Sequence, residues 1–310
     1  MSPTSLIIDC DPGVDDAVAL LTAFGTPALE LLAITTVGGN VPVDKTARNA
    51  SILRQIAGRG DVPVFMGAER PLRREPMGAG EFHGAEGLGD MVPFEPEAGC
   101  ASGGAVEAIV EIVMTRPGKT VSLAVLGPLT NLALALRAEP SLAERLGPVA
   151  VMGGARAEGG NITASAEFNI WADPEAAAEV LASAADVVLF GLDVTHQVRA
   201  TEARIAALEA LGTDPAGAAA SVMRFSQRIE REIVGWEAPP VHDLCPVAWM
   251  IRPELFTLRP CHIAVETMSD LTRGHTAVEF RAGVAGPLRH RWADRGDADG
   301  VFALLTEAVR

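Results

Sequence analysis

Tyrosine is absent from the 310 residues, and aromatic side chains of all kinds make up only 5% of them. No phenol is present to relay a proton or to stack on a planar ligand. Cysteine is scarce: Cys10, Cys100, Cys245 and Cys261 show no CxxC spacing, which argues against a zinc site and against a disulfide-framed small domain. Reduced, mostly buried thiols are expected. Positive charge is in deficit, with 25 Lys plus Arg against 40 Asp plus Glu and a formal net charge of −15. The arginines are scattered without a basic stripe, so nucleic acid is not an expected partner. No apolar run reaches the roughly 18 residues of a membrane span. The first strand pattern begins almost at once, leaving no space for a signal peptide. The expectation is a cytoplasmic protein without a membrane partner.

Apolar residues make up 48% of the chain, with 31 Gly and 21 Pro, which is material for a large core with many turns. Neither a linker nor an internal repeat divides residues 1–310, so a single domain around one sheet is expected. The chain is organised around Ser5-Leu6-Ile7-Ile8-Asp9-Cys10-Asp11-Pro12-Gly13-Val14-Asp15-Asp16. Leu6 to Ile8 read as a buried strand, and Pro12-Gly13 breaks it. Asp15 and Asp16 fall in the first turn of a helix, where orphan N–H groups and the helix dipole favour carboxylates. Four neighbouring aspartates at one strand end repel one another unless some are protonated or a hard cation such as Ca²⁺ or Mg²⁺ neutralises them.

Strand and helix patterns then alternate, which implies βαβ units and a mostly parallel sheet. Strands are expected at Leu29 to Val37, Val62 to Phe65, Val121 to Leu126, Val149 to Met152 and Asp186 to Leu192, and antiparallel strands within 260–292. Helices are expected over Val43 to Ala57, Gly104 to Thr115, from Asp173, within 202–232, from His242 and over Asp297 to Val309. Asn40 and Leu126 fall at strand ends, and Asp193 and His196 end the strand from Asp186. Asn40 suits either a ligand hydroxyl or a turn. Residues 67–103 form a long loop in which His83, between glycines, could close over a site. Asn161, Glu167 and Asn169 are two amides and a carboxylate that can address vicinal hydroxyls. The charged set Arg224, Arg228, Glu230, Arg231 and Glu232 reads as a solvated, partly paired helix face.

Together, Asp9-Cys10-Asp11-Pro12-Gly13-Val14-Asp15-Asp16, Ala47-Arg48-Asn49-Ala50, Met152-Gly153-Gly154, Glu167-Phe168-Asn169-Ile170 and Val241-His242-Asp243 resemble the inosine-uridine preferring nucleoside hydrolases across nearly the whole chain. The resemblance implies one Rossmann-like α/β domain with a mostly parallel, mixed open sheet flanked by helices. It implies hydrolysis of the N-glycosidic bond of ribonucleosides to free base and ribose, a step of nucleoside salvage, and a homodimer or homotetramer. Ca²⁺ would bind the ribose hydroxyls and the attacking water. Carried over by position, Asp11 is general base and metal ligand, Asp16 and Asp243 are metal ligands, and Leu126 is a ligand through its carbonyl. Asp15 would bind a ribose hydroxyl. Asn40, Met152, Asn161, Glu167, Phe168 and Asn169 would line the ribose pocket, with His83 and His242 facing the base.

The chain departs from the family pattern on the helix before His242. Broad-preference members carry tyrosines there, and this sequence has Ser226 and Glu230. His242, at a helix start, is left as the candidate acid for the departing base. Two other classes of function remain open. One is a metal phosphohydrolase, since His242-Asp243 resembles an HD signature and Asp9/Asp11 a DxD strand, although further metal-spaced histidines and a partner lysine are missing. The other is a non-catalytic ribose- or nucleoside-binding protein, which would be expected to lack Asp11.

Overall fold

The computed structural model describes residues 3–310. Nine strands form its sheet: β1 (Thr4–Cys10), β2 (Leu29–Thr36), β3 (Val64–Met66), β4 (Val121–Val125), β5 (Val149–Met152), β6 (Val187–Phe190), β7 (Phe256–Val265), β8 (Thr276–Glu279) and β9 (His290–Gly296). Their order is β3-β2-β1-β4-β5-β6-β9-β7-β8. Strands β1 to β6 are parallel, β9 joins β6 in the same sense, and β7 runs antiparallel to both β9 and β8. The inner strands read as unbroken apolar runs because helices cover both sheet faces. Leu6 and Ile8 feed one core layer with the helix Val14–Gly25, and Ile7 feeds the other with the helix Thr130–Ala138.

Chain order reverses between β1 and β4, which makes their carboxyl ends the switch point of the sheet, the crevice where α/β proteins of this kind take ligands. Asp11 lies just past β1, and Leu126 just past β4. Three expectations are corrected. The strand at Val62 to Phe65 starts two residues later, since Pro63 has no N–H to donate to a ladder and uses its carbonyl to accept from Ile34 N instead. The strand expected from Asp186 to Leu192 is the shorter β6: Gly191 turns the chain into the short helix Leu192–Thr195. Asp193 and His196 therefore belong to that turn of helix. The antiparallel reading of 260–292 holds for the pairing of β7 with β8 and with β9, while β9 also extends the parallel sheet.

Candidate active site

Asp16, in the first turn of the helix Val14–Gly25, is held by backbone. Asp16 Oδ2 accepts from Gly13 N (2.9 Å) and its Oδ1 from Asp11 N (3.3 Å), which fixes the turn between strand and helix. Asn40 clamps the other side: its N–H donates to Asp11 Oδ2 (2.7 Å) and its Nδ2 to Asp11 O (3.2 Å) and Asp16 Oδ2 (3.3 Å). Carboxylate oxygens of Asp15, Asp16 and Asp243 lie within 4.8 Å of one another. Asp11 Oδ1 and Asp15 Oδ1 are buried without a hydrogen-bond partner among the described residues. Burial pushes Asp16 up to about 7, with Asp15 adding to the rise. Burial first and neighbouring aspartates second raise Asp11 and Asp243 well above the ordinary carboxylate range. So many buried carboxylates with no cationic side chain among them, and with two orphaned oxygens, fit a divalent cation.

Asp9 does not belong to this group. It is fully buried, and its Oδ1 accepts from Thr35 Oγ1 (2.6 Å) and Asn131 Nδ2 (2.8 Å). It faces the core layer of Ile7 and ties β1 to β2 and to the helix Thr130–Ala138. The cluster of four expected from the sequence is thus Asp11, Asp15, Asp16 and the distant Asp243.

A cavity of about 440 Å³ opens above the cluster. It brings together Asp15, Asn40, His83, Leu126, Met152, Asn161, Glu167, Phe168, Asn169, His242 and Asp243 from the expected site. Asp11 and Asp16 lie behind its floor, nearly fully buried. Glu167 caps the short helix Phe168–Ala172 and accepts from Asn169 N (2.8 Å), Ile170 N (3.2 Å) and Gly154 N (3.0 Å). Burial lifts it to about 7 against those three bonds. Asn161 Oδ1 accepts from Phe168 N (2.9 Å), leaving its Nδ2 to donate. Asn169 Nδ2 donates to the Leu126 carbonyl (2.6 Å) and to Met152 O (3.2 Å), leaving its Oδ1 to accept. The floor therefore offers separate donors and acceptors, as a diol requires.

The two expected histidines flank the outer part of the cavity. His83 Nδ1 accepts from Val14 N (3.1 Å), and burial lowers its pKa against the pull of Asp15. His242 Nδ1 pairs with Thr195 Oγ1 (2.7 Å), and burial pushes its pKa down to about 4. Its ring is neutral at neutral pH.

Several cavity residues escaped the sequence reading. Trp236 stands beside His196 at 4.9 Å between ring centroids, with the Arg199 guanidinium 4.1 Å above its ring. His196 in turn pairs with Glu158 (3.1 Å). Phe82, Ile162, Ile229 and Val234 supply apolar wall. Glu230, expected on a solvated helix face, lines the cavity instead, because Ser226, Ile229 and Glu230 share one side of the helix Asp214–Ile233 at i, i+3 and i+4. That spacing was readable. Trp236 was not, since it lies past the helix, where Gly235 at φ +82° turns the chain back.

The sheet, its switch-point cavity and the acidic floor together define an α/β enzyme working on a small polar ligand. The family match to the inosine-uridine preferring nucleoside hydrolases covers residues 6–303, and the chain belongs to that family and is a ribonucleoside hydrolase. It is 41% identical over 280 residues to an inosine-uridine preferring nucleoside hydrolase from Crithidia fasciculata, covering 90% of this chain and 89% of that protein. It is 40% identical over 276 residues to a pyrimidine-specific ribonucleoside hydrolase from Salmonella schwarzengrund, covering 89% and 88%. A solved plant nucleoside hydrolase superposes with a TM-score of 0.94 at 31% identity, over 99% of both chains.

Proposed function

We propose that the protein hydrolyses the N-glycosidic bond of ribonucleosides with Ca²⁺ as its cofactor, and that Asp11 takes the proton of the attacking water. The observation that carries this reading is Asp11 itself. Its Oδ2 is held by Asn40 N, while its Oδ1 is buried, unpartnered and beside the other acids. Asp11, Asp16, Asp243 and the Leu126 carbonyl would hold the ion, an all-oxygen set of the kind Ca²⁺ prefers. When bound, the ion supplies the missing positive charge and makes a nearby water more acidic.

The rest of the work falls to the chain's own groups. Asp15, Asn161, Glu167 and Asn169 bind ribose hydroxyls, with Asn40, Met152 and Phe168 completing the pocket. Breaking the bond builds oxocarbenium character in the sugar, so these contacts strengthen as the base leaves. His83 and His242 address the base. With a pKa near 4, His242 offers a hydrogen bond at neutral pH more readily than a proton.

Release of free ribose from a nucleoside panel tests the proposal. Chelation of divalent ions should abolish turnover, Ca²⁺ should restore it, and 2′-deoxynucleosides should be poor substrates. Full turnover after chelation would remove the cation from the reading, and equal turnover of deoxyribosides would remove the hydroxyl contacts.

A further inference from the structure

The base end of the cavity holds two acids with different surroundings. Glu158 is matched by His196 Nδ1 at 3.1 Å. Glu230 has no such match: its Oε2 is shielded from solvent and has no hydrogen-bond partner among the described residues. The arginines of the same helix are committed outside the cavity, Arg228 to Asp90 (2.9 Å) and Arg231 to Glu237 (2.6 Å). Arg199, the cation whose field reaches Glu230, is committed elsewhere. Its Nε donates to His196 O (2.8 Å) and its Nη1 to Ala238 O (3.2 Å), and its plane stacks on Trp236.

A carboxylate oxygen buried without a partner is unfavourable, and such a group is retained where a ligand completes it. Apolar Ile229, Val234 and Trp236 line the same cavity, so a planar base entering beside Glu230 loses water and meets a charged acceptor. We propose that Glu230 is a specificity-determining residue that accepts hydrogen bonds from the base, so that the enzyme favours nucleosides whose base offers two adjacent N–H donors. Guanine does so through its ring imino and exocyclic amino groups.

A carboxylate only accepts, and its two oxygens match two parallel donors in a bidentate pair. Hypoxanthine lacks the amino group. The imino N–H of uracil lies between two carbonyls, and the amino groups of adenine and cytosine each sit beside a ring nitrogen acceptor, so lone pairs would face lone pairs. Burial raises the pKa of Glu230, and Arg199 opposes that rise. The inference rests on the ribonucleoside reading and deepens it. The ribose floor is common to all nucleosides, so discrimination among them has to come from side chains at this end.

The test compares guanosine, inosine and 1-methylguanosine as substrates of the Ca²⁺-loaded protein and of its Glu230→Gln and Glu230→Ala variants. For the unaltered protein, kcat/KM for guanosine should exceed that for each of the other two by about tenfold or more, the scale of a lost hydrogen bond to a charged group. In both variants the guanosine-to-inosine ratio should fall to within about threefold of unity. The ratio is taken within one preparation, so a misfolded fraction cancels. A ratio near unity before substitution, or one unchanged in Glu230→Gln, overturns the assignment. If the unaltered protein released no ribose from these nucleosides and cleaved no p-nitrophenyl riboside, the hydrolytic reading would fail separately. Calorimetric Kd values for the same pairs would then decide: a guanosine preference lost in Glu230→Gln upholds the assignment, and equal affinities overturn it.

Discussion

Asp11 has its carboxylate between two glycines. A Cβ on Gly39 would run into Asp11 Oδ2 and one on Gly127 into Asp11 Oδ1. Neither glycine is in the left-handed region, so alanine is allowed by the backbone, and at Gly127 the nearest conflict is with the Asp11 side chain. Gly127→Ala should therefore leave a folded protein, destabilised by about 1–3 kcal/mol as overpacking usually is, and should lower kcat about a hundredfold through a displacement near 1 Å. Thermal melting and ribose release measure the two effects. Unchanged kcat would mean that Asp11 does not need that position. Asp11→Ala should lower kcat by about a hundredfold or more with KM nearly unchanged, the scale of general-base loss. At this scale the sequence was legible where neighbours in the chain are neighbours in space: Asp11, Asp15 and Asp16 share one turn. Asp9 was misread because its partners, Thr35 and Asn131, are 26 and 122 residues away, and no local spacing reports them.

Among the elements, the segment after the helix Asp214–Ile233 is held against the fold by Arg199. That side chain covers Trp236 and bonds to the carbonyls of His196 and Ala238. Arg199→Ala removes a cation–π contact of about 0.5–2 kcal/mol and two hydrogen bonds of about 1 kcal/mol each. Expected is a rise in KM for nucleosides of about tenfold with a smaller change in kcat; steady-state kinetics in which KM stays fixed would show that the wall stands without it. The helices themselves were legible because caps and breakers bound them. Asp173, for example, caps Pro174–Ala182 by accepting from Ala176 N (3.1 Å). The turn at Leu192–Thr195 was missed because Gly191 ends an apolar run whose hydropathy continues through Leu192, and a period-two reading follows hydropathy.

For the molecule as a whole, the buried acids tie stability to pH and to the cation. Burial raises Asp9 from 3.8 to about 6, Asp16 from 3.8 to about 7 and Glu167 from 4.5 to about 7. The folded state thus holds protons that the unfolded chain releases. That advantage is full at low pH and is lost as pH rises through about 6 to 7. Buried His242, held near 4, works in the opposite sense up to the ordinary histidine value of about 6.5, so metal-free protein should melt at falling temperature between about pH 6.5 and pH 7.5, by calorimetry. A cation at a hundredfold excess over its Kd should return about 2.7 kcal/mol at pH 7. A flat profile in the metal-free protein would mean that these carboxyls ionise without cost. The alternation of strand and helix made the parallel sheet legible. The strand order was not, because the reversal between β1 and β4 pairs segments more than a hundred residues apart.

The sheet is open, so it keeps two rims, and both are short. The outermost strands are the three residues of β3 and the four of β8. Strands of that length offer few free backbone groups for a strand of another molecule to zip onto, and a formal charge of −15 opposes non-specific association. A chain with this much apolar sheet is thereby guarded against growing into fibrils from its own edges.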